Sequence, residues 1–356
     1  MIYFLLIFYT VFVAYIFKRN YIEKANKLTI YSIKRSFCFF IMVIPAIIIS
    51  GLRYGISVDY IKVYERSFYL ILNNKKNISG FETGFYWLVK LCSKIIAKPW
   101  FMFTVVAAIT IILYFKAFEE SKEFLVSVFL FFAVGAYFDS FNGIRQYIVV
   151  AVFMYAYRYI RTNNLKKYIL IMGLCILIHN SAIFTIPLYF FSKIRINKIY
   201  AIIVCVGILL LQNKILYAFV LTISKIPKYN EYLLRNTLQD QISFSLSGLV
   251  MAIIALIPCF LCEKQMQKTN EGRFLYNMML LGLLLAACTS FFPFAERIMY
   301  YTRSYIIFSV PFACGYIKKY KNVVEYLVLG LYAGLTTIGI IFLNWYAVLP
   351  YKFVLF

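Results

Sequence analysis

Long apolar runs alternate with short polar clusters along the whole chain. The runs cover about 1–17, 37–52, 100–117, 124–141, 143–160, 199–222, 244–262, 274–293, 298–316 and 323–343, with a longer one over about 164–192. Runs of this length suit α-helices that cross a hydrocarbon layer of about 30 Å with about 20 residues each. The pattern predicts an all-α fold, a polytopic membrane helix bundle of about twelve spans. No soluble domain, internal repeat or low-complexity segment interrupts it, so residues 1–356 read as one integral membrane domain. The first run lacks a basic leader and a small-residue cleavage site before Lys18-Arg19, and reads as a span rather than a removable signal.

The polar clusters set the orientation. Lys18/Arg19/Lys24/Lys27/Lys34/Arg35, Arg158/Arg161/Lys166/Lys167, Lys193/Arg195/Lys198 and Lys318/Lys319/Lys321 are all expected on the cytoplasmic side, by the positive-inside bias. The second and third clusters flank the 164–192 run. They share a side only if that run crosses twice, as a hairpin turning near His179. Both termini then lie outside, with outer segments at about 53–99, 139–146, the 179–180 turn, 223–243, 294–297 and the C-terminal tail. Within the first outer loop, Phe85, Leu88, Cys92, Ile95 and Ile96 share one helical face while Lys90 and Lys94 interrupt the other. The 81–98 segment is expected to be an amphipathic helix along the outer interface.

Composition sharpens this picture. Apolar residues make up 63% of the chain and charged residues only 14%, against about a quarter charged in soluble domains. A mean hydropathy of +0.80 excludes an ordinary soluble globule. The net charge of +23 first suggests nucleic acid. That partner is set aside, because the cations sit in short clusters between apolar runs and no RNA-binding aromatic motif is present. Nearly all of the eight cysteines fall inside apolar runs, where they act as small hydrophobes. Cys259 and Cys262 form a CxxC without a second pair, which is not a metal-site pattern. Neither metal nor cofactor is expected.

Candidate chemistry gathers in the outer loops, since ionisable groups at membrane depth are costly and mark function by default. In GLRYGISVDY, Arg53 stands six positions before Asp59. It is either a snorkelling arginine paired with that carboxylate or an anion clamp, for which the planar guanidinium fork suits phosphate. Glu82 in GFETGFYWL is either a helix N-terminal acid, stabilised by the dipole, or a catalytic carboxylate. Arg145 and Gln146 in FNGIRQY open a helix, where a cation is disfavoured unless an anion lies near. Asp139 or a bound diphosphate meets that need. His179 is the single histidine, either a hydrogen-bonded structural residue or a general base. Arg297 and Arg303 in ERIMYYTRSY are six apart and off one helical face, and Arg303 needs an acidic or phosphate partner.

GLRYGISVDY, GFETGFYWL, FNGIRQYIVVAVFMYAYRYI, LIHNSAIFTIPLYF and ERIMYYTRSY, in this order over about residues 45–315, resemble the EpsG-like family of polysaccharide polymerases. These are close in role to the Wzy O-antigen and capsule polymerases. One departure is Thr83, where the family often has proline. The resemblance implies a multi-pass enzyme of the bacterial inner membrane. It would join undecaprenyl-diphosphate-linked oligosaccharide units at the outer face, without a metal, possessing a separate chain-length regulator as partner. Arg53, Arg145, Gln146, Arg297 and Arg303 would hold the departing diphosphate; His179, Asp59 or Glu82 would supply the base. Three other readings use the same residues. A lipid-linked oligosaccharide flippase should show two similar halves, which the chain lacks; a ligase would change only the acceptor; an acyltransferase would use His179.

Overall fold

The computed structural model describes residues 1–22, 31–75, 80–224, 245–289, 292 and 295–354. Lys24, Lys27 and the expected outer loop from 225 onward lie outside these residues. The described chain is helical, without a strand; one isolated antiparallel bridge joins Arg53 to Phe353. It divides into two compact units, Met1–Ile186 with Leu329–Phe356, and Pro187–Val328.

The first unit contains α1 (Ile2–Phe17), α2 (Tyr31–Gly51), α3 (Arg66–Leu72), α4 (Thr83–Ile95), α5 (Pro99–Phe118), α6 (Phe124–Ala133), α7 (Ala136–Asp139), α8 (Ile144–Arg161) and α9 (Leu165–Cys175). Helix α5 starts with Pro99, whose fixed φ and missing N–H suit a first helical turn. It packs against α2, α8, α4 and α6, while α1 packs on α2 and α6. Its apolar length buries Tyr114, Phe115 and Phe118 against Phe131 of α6, with ring centroids 4.8, 5.8 and 5.7 Å away. In a bilayer such rings associate through van der Waals packing, since lipid tails are as apolar as the side chains they would replace.

Charge marks one end of this unit. Arg35 meets Glu119 at 2.5 Å, Arg158 and Arg161 meet Glu120 at 3.2 and 3.0 Å, and Lys18 meets Glu123 at 3.5 Å. Exposed pairs of this kind stabilise little. Their value is topological: basic clusters from the ends of α1, α2 and α8 come to one end, around the α5–α6 turn. The opposite end carries residues 51–59, 80–82, 139–146 and the turn at His179.

The second unit contains α10 (Lys198–Ser224), α11 (Leu246–Leu261), α12 (Glu263–Met266), α13 (Asn270–Cys288), α14 (Ala295–Ser304) and α15 (Ile306–Cys314); α16 follows at Lys321–Phe342. Helix α13 packs against α10, α11, α14 and α15. Ser245 and Thr269 cap α11 and α13, accepting from the N–H groups of Gly248 and Gly272 at 3.2 and 3.0 Å. Lys198 meets Glu263 at 2.5 Å, and Asn277 donates to the Phe191 and Ile194 carbonyls, both at 2.8 Å.

Among the described residues six helices are long and apolar enough to cross a membrane: Ile2–Asn20, Lys34–Gly51, Pro99–Phe118, Lys198–Ile215, Asn270–Cys288 and Lys321–Phe342. Phe124–Ala133 and Leu246–Leu261 are shorter apolar helices. Two expected continuous spans are broken. The 124–141 run stops at Gly135, whose φ of 79° is left-handed and against which the Tyr346 hydroxyl packs, leaving no room for a Cβ. The 298–316 run divides into α14 and α15 at Tyr305.

Within the first unit the 164–192 run turns back after α9, near His179. After α9 come two short 3₁₀ segments, Asn180–Thr185 and Pro187–Ser192. The Tyr168 hydroxyl donates to the Thr185 carbonyl at 2.5 Å, tying the first of them back along α9. The 81–98 segment forms α4, packed on α3 and α5. It buries Phe85, Val89 and Cys92, whereas Ile95, expected on the same face, is exposed.

The segment after α16 also belongs to the first unit and returns as a strap. Tyr54 donates to the Lys352 carbonyl at 2.9 Å, Ser57 to Ala347 at 3.1 Å, and Val354 to Leu52 at 2.9 Å.

Candidate functional site

Three chain segments meet at the end of the first unit away from its basic clusters. Glu82 is the residue on which α4 starts, with extended backbone (φ −65°, ψ 150°). Gly84 and Phe85 donate backbone N–H groups to the Leu177 carbonyl at 2.7 and 3.3 Å, so the first turn of α4 rests on the hairpin turn. A Cβ at Gly84 would lie 2.8 Å from that oxygen and 3.0 Å from the Leu177 Cβ. Only glycine permits this approach.

Glu82 is the hub. Its Oε1 accepts from the backbone N–H of Asn180 at 3.1 Å and lies 2.8 Å from His179 Nδ1. Its Oε2 accepts from Arg145 Nη1 at 2.6 Å. Asn180 opens a 3₁₀ segment and Arg145 is the second residue of α8. Helix starts carry unsatisfied N–H groups and partial positive charge, which favour an anion. Burial alone would raise the Glu82 carboxyl. The hydrogen bonds from His179 and Asn180, with the charge of Arg145, outweigh it and hold the pKa at about 2. Glu82 is therefore ionised near neutrality.

A carboxylate on Nδ1 places the proton of neutral imidazole on that nitrogen and leaves the Nε2 lone pair available. Nε2 has no hydrogen-bond partner among the described residues. This is the orientation a general base requires, with the carboxylate selecting the tautomer.

Arg145 also donates to the Gly80 carbonyl at 2.5 Å and lies over the Phe81 ring, 4.9 Å from its centroid. The Tyr64 hydroxyl contacts it as well. Burial pushes that phenol above its usual range, against the pull of Arg145. Below them Tyr64, Phe85, Phe103, Ile144 and Ile148 belong to one buried apolar cluster. Asp139 was one expected partner for Arg145; the structure places Glu82 there instead.

Asp59 sits near this group. Its N–H is accepted by Asn142 Oδ1 at 3.1 Å, and its carboxylate is close enough to act on the Tyr64 phenol. Arg53 is differently placed. It is 1% exposed, donates to the Ser50 carbonyl and to the Phe141 carbonyl (2.7 Å), and stacks over Phe141 and Phe103 at 4.7 and 5.0 Å. Burial draws its pKa down, to about 10, so it stays charged near neutrality. It joins the 50–57 turn to the 139–146 turn and is closed to a ligand. Gln146 is buried in α8. In the second unit, Arg297 is exposed on α14, while half-buried Arg303 covers the Tyr300 ring at 5.1 Å and lines a small cleft beside Met251 and Met299.

Tyr64, Phe81 and Gly80 are absent from the sequence-derived candidates. Tyrosine and phenylalanine are so frequent in this chain that no local signal separates these two from the rest. Among the described residues no group of three or more His, Cys, Asp or Glu side chains is placed to hold a metal ion.

An all-helical chain with several membrane-length apolar helices and a charged cluster at a helix-capped end is an integral membrane protein carrying a polar site. The EpsG family model matches residues 36–353, and the chain belongs to that family, whose members are polysaccharide-polymerase-type membrane proteins akin to Wzy. No curated protein and no solved structure matches it.

Proposed function

We propose that this protein is a repeat-unit polymerase of the bacterial inner membrane, acting at its outer face. Its substrates are oligosaccharides linked to undecaprenyl diphosphate, and its chemistry centres on His179. The sugar hydroxyl of one lipid-linked unit gives its proton to His179 Nε2 as its oxygen attacks the anomeric carbon of the growing chain. The bond from that carbon to the diphosphate breaks, and undecaprenyl diphosphate leaves with the electron pair. Glu82 holds the imidazole tautomer and balances the charge that His179 gains. Arg145 stabilises the departing anion. Gln146, which follows Arg145 in α8, is a further diphosphate-binding candidate of the first unit, and Arg297 and Arg303 are separate candidates of the second unit. Asp59 contributes negative charge near the acceptor. Arg53 acts by position, holding the two turns that carry Asp59 and Arg145.

The single observation that supports this reading is the Glu82–His179 pair with Nε2 left open. The test is the chain-length ladder made by cells or by purified protein supplied with a lipid-linked repeat unit. His179→Ala and Arg145→Ala are expected to leave single repeat units on the acceptor, general-base loss alone costing about 10²–10⁴ in rate. A normal ladder from inserted His179→Ala protein would overturn the proposal. Complete loss of units from the acceptor would point to a flippase or ligase, and full-length chains lacking acyl groups to an acyltransferase.

A further inference from the structure

The contact of Gly84 with Leu177 is also the meeting point of two exposed apolar stripes. On α4, Gly84, Leu91 and Ile95 share one face by their spacing of seven and eleven, with Trp87 at its edge. Beyond Gly84 this face is uncovered: Trp87, Leu91 and Ile95 are each about 60% exposed, at 59%, 61% and 62%. On α9, Leu170 and Leu174 are exposed in the same way, and Leu177 continues their line. The Leu177 N–H bonds to the Leu174 carbonyl at 3.1 Å, an i to i+3 turn that stacks one residue over the other. Helix α4 buries its other face on α3 and α5, and α9 packs on α8. The stripes therefore face outward and share an apex. At that apex stand Glu82, Arg145 and His179.

We propose that this wedge holds the isoprenoid chain of the lipid-linked substrate, so that the site is loaded sideways from the bilayer. The inference rests on the polymerase reading and adds where its lipid lies. A diphosphate at Arg145 must send its hydrocarbon into an apolar surface continuous with the site, and the wedge begins there. Lys90 and Lys94 lie beside the α4 stripe and add cations next to it, Lys90 lying over the Trp87 ring at 5.1 Å.

The test uses the full-length protein in liposomes with p-benzoylphenylalanine at Leu91, at Leu174 or, as a lipid-facing control, at exposed Phe8 of α1. The probe is radiolabelled undecaprenyl diphosphate, crosslinked by light. Labelling at Leu91 and Leu174 is expected to exceed that at Phe8 about tenfold, equivalent to about 1.4 kcal/mol of preference. Unlabelled undecaprenyl diphosphate should abolish it, and excess phosphatidylglycerol should not. Equal labelling at all three positions, or displacement by phosphatidylglycerol, would overturn the wedge as a substrate site and leave it an ordinary lipid surface. The two ideas separate cleanly. A ladder that depends on His179 with even labelling sinks the wedge alone; selective labelling with a ladder indifferent to His179 sinks the base and leaves the wedge standing.

Discussion

His179 Nδ1 and Glu82 Oε1 stand 2.8 Å apart although 97 residues separate them in the chain. The pair depends on two unrelated features: α4 must start on a carboxylate, and the hairpin after α9 must turn at the imidazole. The carboxylate also faces Arg145, so one acid meets one cation and one imidazole.

If Glu82 works by orienting His179, Glu82→Gln should lower the elongation rate without abolishing it. The amide can accept from Nδ1–H but carries no charge to balance an imidazolium. A loss of about 10-fold or more, smaller than that of His179→Ala, is expected from Brønsted reasoning, with acceptor KM nearly unchanged. Equal losses in the two variants, or a change confined to KM, would contradict an orienting role.

Acid sensitivity follows from the same carboxylate. Its folded pKa of about 2 lies below the ordinary value of 4.5. A depressed acid contributes stability that is present above its unfolded pKa and lost as pH falls toward the folded one. The purified protein should therefore lose thermal stability between about pH 5 and pH 2, and Glu82→Gln should flatten this limb while starting from a lower plateau. Parallel melting curves for both proteins across that window would remove Glu82 as the titrating group.

Gly84→Ala inserts a methyl group against the Leu177 backbone. Overpacking costs about 1–3 kcal/mol, and here it also separates α4 from the hairpin that carries His179. Shortened chains are expected from protein that still inserts. Gly173→Ala, on α9 with nothing within 4 Å of the added carbon, should behave as wild type. Reversal of these two outcomes in a ladder assay would argue that the Gly84 contact is incidental.

The reversal at His179 bears on topology. An accessibility tag at residue 195 should report the cytoplasmic side, matching one at residue 161. A periplasmic readout at 195 with a cytoplasmic one at 161 would mean that the chain crosses once here and not twice.

Periodicity made the helices legible, together with the turn at His179, because apolar length and charge placement are local properties. Glu82, Arg145 and His179 were each visible as costly polar residues beside apolar runs. Their mutual pairing was not. Arg145 lies 63 residues from Glu82, and its nearest acid in sequence is Asp139. Arg53 shows the same limit: Asp59 is close along the chain, yet the guanidinium turns to backbone carbonyls at Ser50 and Phe141. Spacing identifies partners within one helix and says little about partners across a bundle. The break at Gly135 had a signal in the glycine itself, but the reason for it, Tyr346, lies more than two hundred positions away. The strap from 344 to 354 had no helical or apolar period to announce it.

That strap carries a consequence for biogenesis. The unit bearing His179 consists of residues before 187 and after 328. Its Arg53 turn gains the backbone bonds to Ala347 and Lys352 only after every residue of the second unit has left the ribosome. Early in translation a buried charge therefore waits without its cover, and a chain cut short near residue 343 would never receive it. Such truncated products should be recognised by membrane proteases as unfinished, even though each long apolar helix had already been inserted.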